Sequence, residues 1–332
     1  KRVHNMASFN DYCALRYPKS VRPWKLQNSD PKLGEDDDGP KPTSHLYISA
    51  QSILERFIHS QNLYTEFTHE MLISKTIDEI RQVLDFLKPQ RLVFVAINGV
   101  VPKMVTSKYR QKNYAFAEYI SKWEEIKSEF DREWKGPVNY NFQFVSPSDA
   151  CAGASLLSGL IEALEEMFLT LAHKQEHFKN TRFLISGDRN EGEAKFKIYS
   201  LMRGITKDAD LRLMTEFQQV VYGYESDAVL HALMNHQTNL SVIVGDLLFD
   251  MRIIRLYLSE QFPPFTCNTS EYDFERVIDD ISFLVLLTKN EYLPQIPSLG
   301  LEYGGLDAIF EVYRRNLPMM GPIIKPNRLV SD

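Results

Sequence analysis

Apolar positions along this chain alternate between two periods. Arg91–Ile97 (RLVFVAI) is an almost unbroken apolar run, and shorter runs recur at His45–Ser49, Phe142–Val145, Arg182–Ser186, Gln218–Tyr222 and Leu240–Val244. Each has the length and the β-branched or aromatic content of a strand. Between and after them apolar residues return at helical spacing. Met71–Leu87 places Ile73, Ile77, Ile80, Leu84 and Leu87 on one stripe, and Ser107–Trp134, Ala154–Phe178, Glu193–Arg203, Ser226–Asn235 and Phe274–Leu287 also read as helices. Strands this apolar must be covered on both faces. The pattern therefore predicts an α/β fold, a mostly parallel central sheet flanked by helices, with a helical C-terminal extension. The expected organisation is one domain, with residues 6–245 as the α/β core and 246–332 as the extension. Asp30–Pro42 (DPKLGEDDDGPKP) reads as an acidic, solvated loop within the core.

Composition changes this picture little. The chain has 332 residues, a formal charge of −6 and no apolar run long enough to span a bilayer, so no membrane partner is expected. A mildly acidic surface does not bind nucleic acid indiscriminately, which leaves a local basic groove as the route to such a ligand. Cys13, Cys151 and Cys267 lie far apart and read as reduced intracellular thiols. There is no Gly-rich phosphate loop, dinucleotide fingerprint or Ser-His-Asp context. His173 and His177 have the spacing of a metal-binding pair, but no third ligand accompanies them and they read as a surface pair.

Ligands of open α/β sheets bind beyond the carboxyl ends of the strands. The residues expected there are Ser49, Asn98-Gly99, the run Gly187–Glu193, and Glu225-Ser226-Asp227. Asn290-Glu291 follows the apolar helix Phe274–Leu287. A rim of carboxylates repels itself unless cations are bound, so the arrangement suggests divalent metals. Two ions about 3.5–4 Å apart can clamp the attacking and leaving oxygens of a phosphodiester cleavage.

In order along the chain, several segments resemble those of the Xrn family of 5′→3′ exoribonucleases, relatives of the flap endonucleases with a PIN-like sheet. Met6-Ala7-Ser8-Phe9 with Leu15-Arg16-Tyr17-Pro18 is similar to the family's opening. Leu46-Tyr47-Ile48-Ser49-Ala50-Gln51 looks like Leu-Tyr-Leu-Asp-Met-Asn, and Ala96-Ile97-Asn98-Gly99-Val100-Val101-Pro102 like Ala-Ile-Asp-Gly-Val-Ala-Pro. Glu191-Gly192-Glu193-Ala194-Lys195 resembles Glu-Gly-Glu-His-Lys. Tyr222-Gly223-Tyr224-Glu225-Ser226-Asp227 resembles Tyr-Gly-Leu-Asp-Ala-Asp, and Asn290-Glu291-Tyr292-Leu293-Pro294 resembles Asn-Asp-Phe-Leu-Pro.

The resemblance implies a two-metal nuclease rim, and the departures from it fall on that rim. Glu191, Glu193 and Asp227 keep the family's acids. Glu225 and Glu291 stand for aspartates, which moves their oxygens outward by one carbon. Ser49 and Asn98 replace aspartates with uncharged groups. Magnesium depends on carboxylates in near-octahedral geometry, so two lost charges should weaken one site severely. Glu55 falls where the family has an active-site histidine. Of the implied 5′-phosphate pocket only Arg110 remains. Val105, Tyr109, Lys112 and Asn113 stand at its other positions, and none offers a bidentate fork to phosphate.

These departures predict a degenerate nuclease fold, a structural or RNA- and protein-binding component of a ribonucleoprotein assembly. The alternative is a weakly active, metal-dependent 5′→3′ exoribonuclease. No cofactor is expected on the first reading. On the second, Mg²⁺ would sit at a residual single site formed from Glu193, Glu225, Asp227 and Glu291, with Glu191 as a further residual candidate. Lys103, Lys108, Arg110 and Lys112 read equally well as a remnant RNA contact or a solvated helix face. The basic Lys1–Asn5, upstream of the family's start at Met6, points to the mitochondrion, with nucleus and cytosol as the alternatives.

Overall fold

The computed structural model describes residues 8–24, 43–61, 67–133, 144–207, 217–264, 272–288 and 296–324. Among the described residues seven strands form one mostly parallel sheet in the order β1-β7-β6-β5-β2-β3-β4, and the fold is α/β as expected. The strands are β1 (Val21–Pro23), β2 (Thr43–Ser49), β3 (Leu92–Ala96), β4 (Arg182–Ser186), β5 (Gln218–Gly223), β6 (Leu240–Val244) and β7 (Leu247–Asp250). The described residues divide into two compact units. One gathers those of 26–201 and 222–224, the other those of 1–25, 202–221 and 225–332.

In the first unit β2, β3 and β4 run parallel, with Ser49 level with Ala96 and Ala96 level with Ser186. Every residue of β2 and β3 is buried; β3 is apolar throughout, whereas β2 carries Thr43, Ser44, His45 and Ser49 inside along with Leu46, Tyr47 and Ile48. Burying one such valine or leucine contributes about 1.5–3 kcal/mol, so the central strands anchor the unit. β4 alternates between exposed and half-buried positions, with Phe183 turned onto Phe168 at 4.6 Å and Leu184 left 45% exposed.

Four helices belong wholly to this unit: α2 (Ala50–His59), α3 (His69–Leu87), α4 (Lys103–Glu133) and α5 (Ser155–Lys174). Thr68 caps α3 by accepting from the Met71 N–H, and the helix ends at Lys88 in a left-handed conformation (φ 45°). Its buried stripe runs through Leu72, Ile77, Ile80, Val83, Leu84 and Leu87. One polar group is carried inside with it. Glu79 accepts from the hydroxyls of Tyr222 (2.7 Å) and Tyr224 (2.9 Å) and pairs with Arg56, which also lies over the Tyr224 ring. A buried carboxylate is tolerated only with such partners.

Of the predicted strand Phe142–Val145 only Phe144 and Val145 are described, and neither lies in a strand. The reason is a side chain that satisfies the backbone instead. Gln61 Oε1 accepts from the Val145 N–H at 2.8 Å, and Gln61 Nε2 donates to the Val145 carbonyl at 2.7 Å. The predicted 154–178 helix also stops early, at Lys174. His173 remains on α5 and His177 falls in the following 3-10 turn.

α6 (Ala194–Lys207) leads out of the first unit. In the second unit β6–β7 and β1–β7 pair antiparallel. Here lie α1 (Phe9–Arg16), α7 (Ala228–Leu233), α8 (Met251–Gln261), α9 (Phe274–Thr288) and α10 (Gly305–Met320). Asp280 of α9 accepts from the Tyr313 hydroxyl of α10 at 2.5 Å and from the N–H groups of Ile323 and Ile324, fastening the chain beyond α10. Among the described residues no helix is long and apolar enough to cross a membrane. Asp30–Pro42, Cys267 and Glu291 lie outside the described residues.

Candidate functional site

The carboxyl ends of β2, β3 and β4 carry the rim of the first unit. Ser49 ends β2 and is 1% exposed. Its hydroxyl caps α2, accepting from the Ser52 N–H at 3.4 Å, so its oxygen serves a helix terminus. Asn98 follows β3 and is 7% exposed. Its Nδ2 donates to the Tyr109 hydroxyl at 2.9 Å, and its Oδ1 accepts from the Ala194 N–H at 2.7 Å, at the start of α6. One amide uses its donor and acceptor ends on different elements, a task a carboxylate could not perform, since it only accepts.

The network extends further. Gln51 Oε1 accepts from the Asn98 N–H at 3.3 Å. Its Nε2 donates to Glu55 Oε1 at 2.9 Å and to the Ala150 carbonyl at 3.0 Å. Tyr109, in turn, donates to Glu55 at 3.4 Å. Burial, and then the charges of Glu55 and Glu193, push the Tyr109 pKa far above its ordinary value, so the phenol keeps its proton and can only donate toward the acid. Glu55 and Asn98, both positions where the sequence departs from the pattern the resemblance implies, are thus joined through Tyr109, a third.

The loop after β3 is stitched to the loop after β4. The Gly99 N–H donates to the Gly192 carbonyl, and the Gly192 N–H to the Val100 carbonyl. A Cβ on Gly99 would lie 1.7 Å from the Asn190 carbonyl oxygen, so only glycine allows this approach. Glu191 is exposed, whereas Glu193 is 7% exposed with its carboxylate 3.9 Å from Lys195 Nζ.

The implied phosphate-pocket positions lie on α4. Val105 is buried and Tyr109 is committed to the network. Asn113 Oδ1 is buried without a hydrogen-bond partner among the described residues. Lys103, Arg110 and Lys112 are exposed and Lys108 is half-buried, and the Lys112 ammonium lies 5.9 Å over the Tyr109 ring. These cations form a solvent-facing basic stretch on the first turns of the helix.

In the second unit Asp227 precedes α7, and its Oδ2 lies 3.1 Å from His231 Nε2. Asn10 of α1 holds the same loop. Its Nδ2 donates to the Glu225 carbonyl at 3.0 Å, and its Oδ1 accepts from the Val229 N–H at 3.1 Å.

The divalent ions implied by the resemblance can be tested against this donor set. In the first unit Ser49 caps a helix, Asn98 is uncharged and fully engaged, and Glu55 serves an internal network. Asp188, Glu191 and Glu193 are its remaining rim acids. The second unit contributes Glu225 and Asp227. Among the described residues no three His, Cys, Asp or Glu side chains converge as a metal-holding group. The donors of the first-unit rim do not fit a divalent ion.

Two residues that sequence reasoning passed over are central here. Gln51 connects three segments, and its only local signal is the i, i+4 spacing to Glu55 on one helix face. Asn10 carried no local signal beyond its place in α1, because both of its partners lie more than 200 residues away.

Comparison with known proteins agrees with the motif order. The family model described as "XRN 5'-3' exonuclease N-terminus" matches residues 5–246, and the one described as "Xrn1 helical domain" matches residues 271–331. The chain is 22% identical over 335 residues to 5'-3' exoribonuclease 2 of Schizosaccharomyces pombe, covering 88% of this chain and 33% of that protein. It is 20% identical over 294 residues to 5'-3' exoribonuclease 1 of Saccharomyces cerevisiae, covering 82% and 19%. For 5'-3' exoribonuclease 2 of Arabidopsis thaliana the identity is 20% over 372 residues, covering 92% and 36%. The chain therefore spans only between a fifth and about a third of the length of these relatives.

Proposed function

Since the chain belongs to the Xrn family of 5′→3′ exonucleases, we propose that it is a degenerate member, acting as a structural or RNA- and protein-binding component of a ribonucleoprotein assembly. One observation carries this reading. Tyr109 bonds to both Asn98 and Glu55, and Gln51 bonds to both as well, so three departures from the family pattern share one network. Unrelated losses would leave buried polar groups without partners, at about 1–3 kcal/mol each. Here Tyr109 supplies a partner for both Asn98 and Glu55, as expected of an interior refined for stability after the demands of metal binding were lifted.

The exposed cations Lys103, Arg110 and Lys112, with Lys108 beside them, supply the RNA contact in this reading. Such a contact neutralises phosphates without reading sequence, and it weakens as salt displaces it. Protein partners complete the assembly.

Incubation of the purified chain with 5′-phosphorylated RNA and Mg²⁺ or Mn²⁺ tests the proposal. The expected result is full-length RNA after prolonged incubation, with retention on the protein that declines on Lys103→Glu or Arg110→Glu. Degradation that disappears on Asp227→Ala would overturn the reading in favour of a weakly active exoribonuclease.

A further inference from the structure

One positive charge at the rim of the first unit belongs to neither the acidic set nor the α4 basic stretch. Lys197 lies in the first turn of α6. Its Nζ donates to the Ile97 carbonyl at 2.7 Å and to the Gly187 carbonyl at 2.8 Å. These are the first carbonyls beyond β3 and β4, which are adjacent, parallel and in register up to Ala96 and Ser186. Their oxygens converge on one point, and the residues that follow them are Asn98 and Asp188. Asp188 adds its charge nearby while its Oδ2 accepts from the Gly153 N–H at 2.9 Å.

Two converging carbonyl dipoles and a carboxylate make a region of negative potential that calls for a cation. A lysine ammonium is a compact point charge with three donors, and it suits convergent oxygens better than the planar fork of an arginine. We propose that Lys197 is the resident cation of this rim, its ammonium joining the ends of β3 and β4 from within the chain. Burial draws its pKa down to about 8, with Asp188 opposing, so the group remains an ammonium at neutral pH. The proposal extends the degenerate-nuclease reading, because an internal cation answers the same electrostatic need as a bound one.

The proposal makes the charge and its N–H donors essential, which a packing role would not. In Lys197→Ala the Tm should fall by about 5 °C. Methylammonium in the buffer should restore at least half of that loss while leaving the wild type unchanged. Tetramethylammonium at the same concentration, a cation without N–H donors, should restore none of it. If the variant does not fold alone, the same comparison is read as recovery of folded chain on refolding with either amine. A Tm equal to the wild type, or equal effects of the two amines, would overturn the assignment. The readout is separate from the nuclease assay. RNA degradation together with methylammonium rescue would remove the functional reading and leave the role of Lys197 standing.

Discussion

At the scale of single residues, position 98 carries an amide where the resemblance expects a carboxylate. Asn98 donates to Tyr109 and accepts from Ala194, and its neighbours are arranged for both ends. Restoring the family's acid should therefore be harmful. Asn98→Asp would place a buried carboxylate opposite a phenol already directed toward Glu55, adding like charge and removing a donor. The expected cost is about 1–3 kcal/mol, measured as a lower urea midpoint with an unchanged m-value, and no nuclease activity should appear. The departures themselves are visible in the sequence, since Ser49, Asn98 and Glu55 each stand where the resemblance expects another residue. Their mutual bonding is not. Gln51 meets Asn98 across 47 residues, Tyr109 meets Glu55 across 54, and Ala194 meets Asn98 across 96. No local pattern encodes such pairings.

At the scale of elements, legibility follows burial. β3 and β6 read correctly because nearly every position is apolar and covered, β2 because of its apolar centre Leu46–Ile48, and α3 because its stripe repeats over 19 residues. β1 and β7 have only three and four residues, too few for a period to show, and their antiparallel pairing went unread. Phe142–Val145 has strand composition, but the amide of Gln61 takes the place of a neighbouring strand at Val145. The loops after β3 and β4 give the test at this scale. Gly99→Ala would drive a methyl into the Asn190 carbonyl, and a collision with backbone cannot be relieved by a side-chain rotation. The expected destabilisation is about 3 kcal/mol. Hydrogen exchange should quicken at Gly192, whose N–H donates across the same junction.

At the scale of the whole molecule, stability should vary with pH through His236. This residue adopts a left-handed conformation (φ 57°), with Nδ1 2.6 Å from Glu275 and Nε2 2.9 Å from Asp279. Arg255 shares Glu275. Hydrogen bonds to Asp279 and then Glu275 raise the His236 pKa from 6.5 to about 9, against the effect of burial. A pKa raised on folding contributes stability that is fully present below the unfolded value of 6.5. That contribution declines as pH rises through about 9. Urea denaturation from pH 6 to 10 should show this decline. His236→Asn, which tolerates the same backbone conformation, should flatten it. A variant as pH-dependent as the wild type would assign the slope to other groups.

The bridging amide of Gln51 also bears on history. A side chain joined at once to the Asn98 backbone, Glu55 and Ala150 makes the surrounding positions interdependent. Changing Asn98 alone takes a donor from Tyr109, and changing Glu55 alone takes an acceptor from both Gln51 and Tyr109. On the degenerate-nuclease reading, a route back to an acidic rim would have to cross sequences that fold less well than either end. The network acts as a ratchet, and descendants of this chain are expected to vary on the surface of α4 long before they vary here.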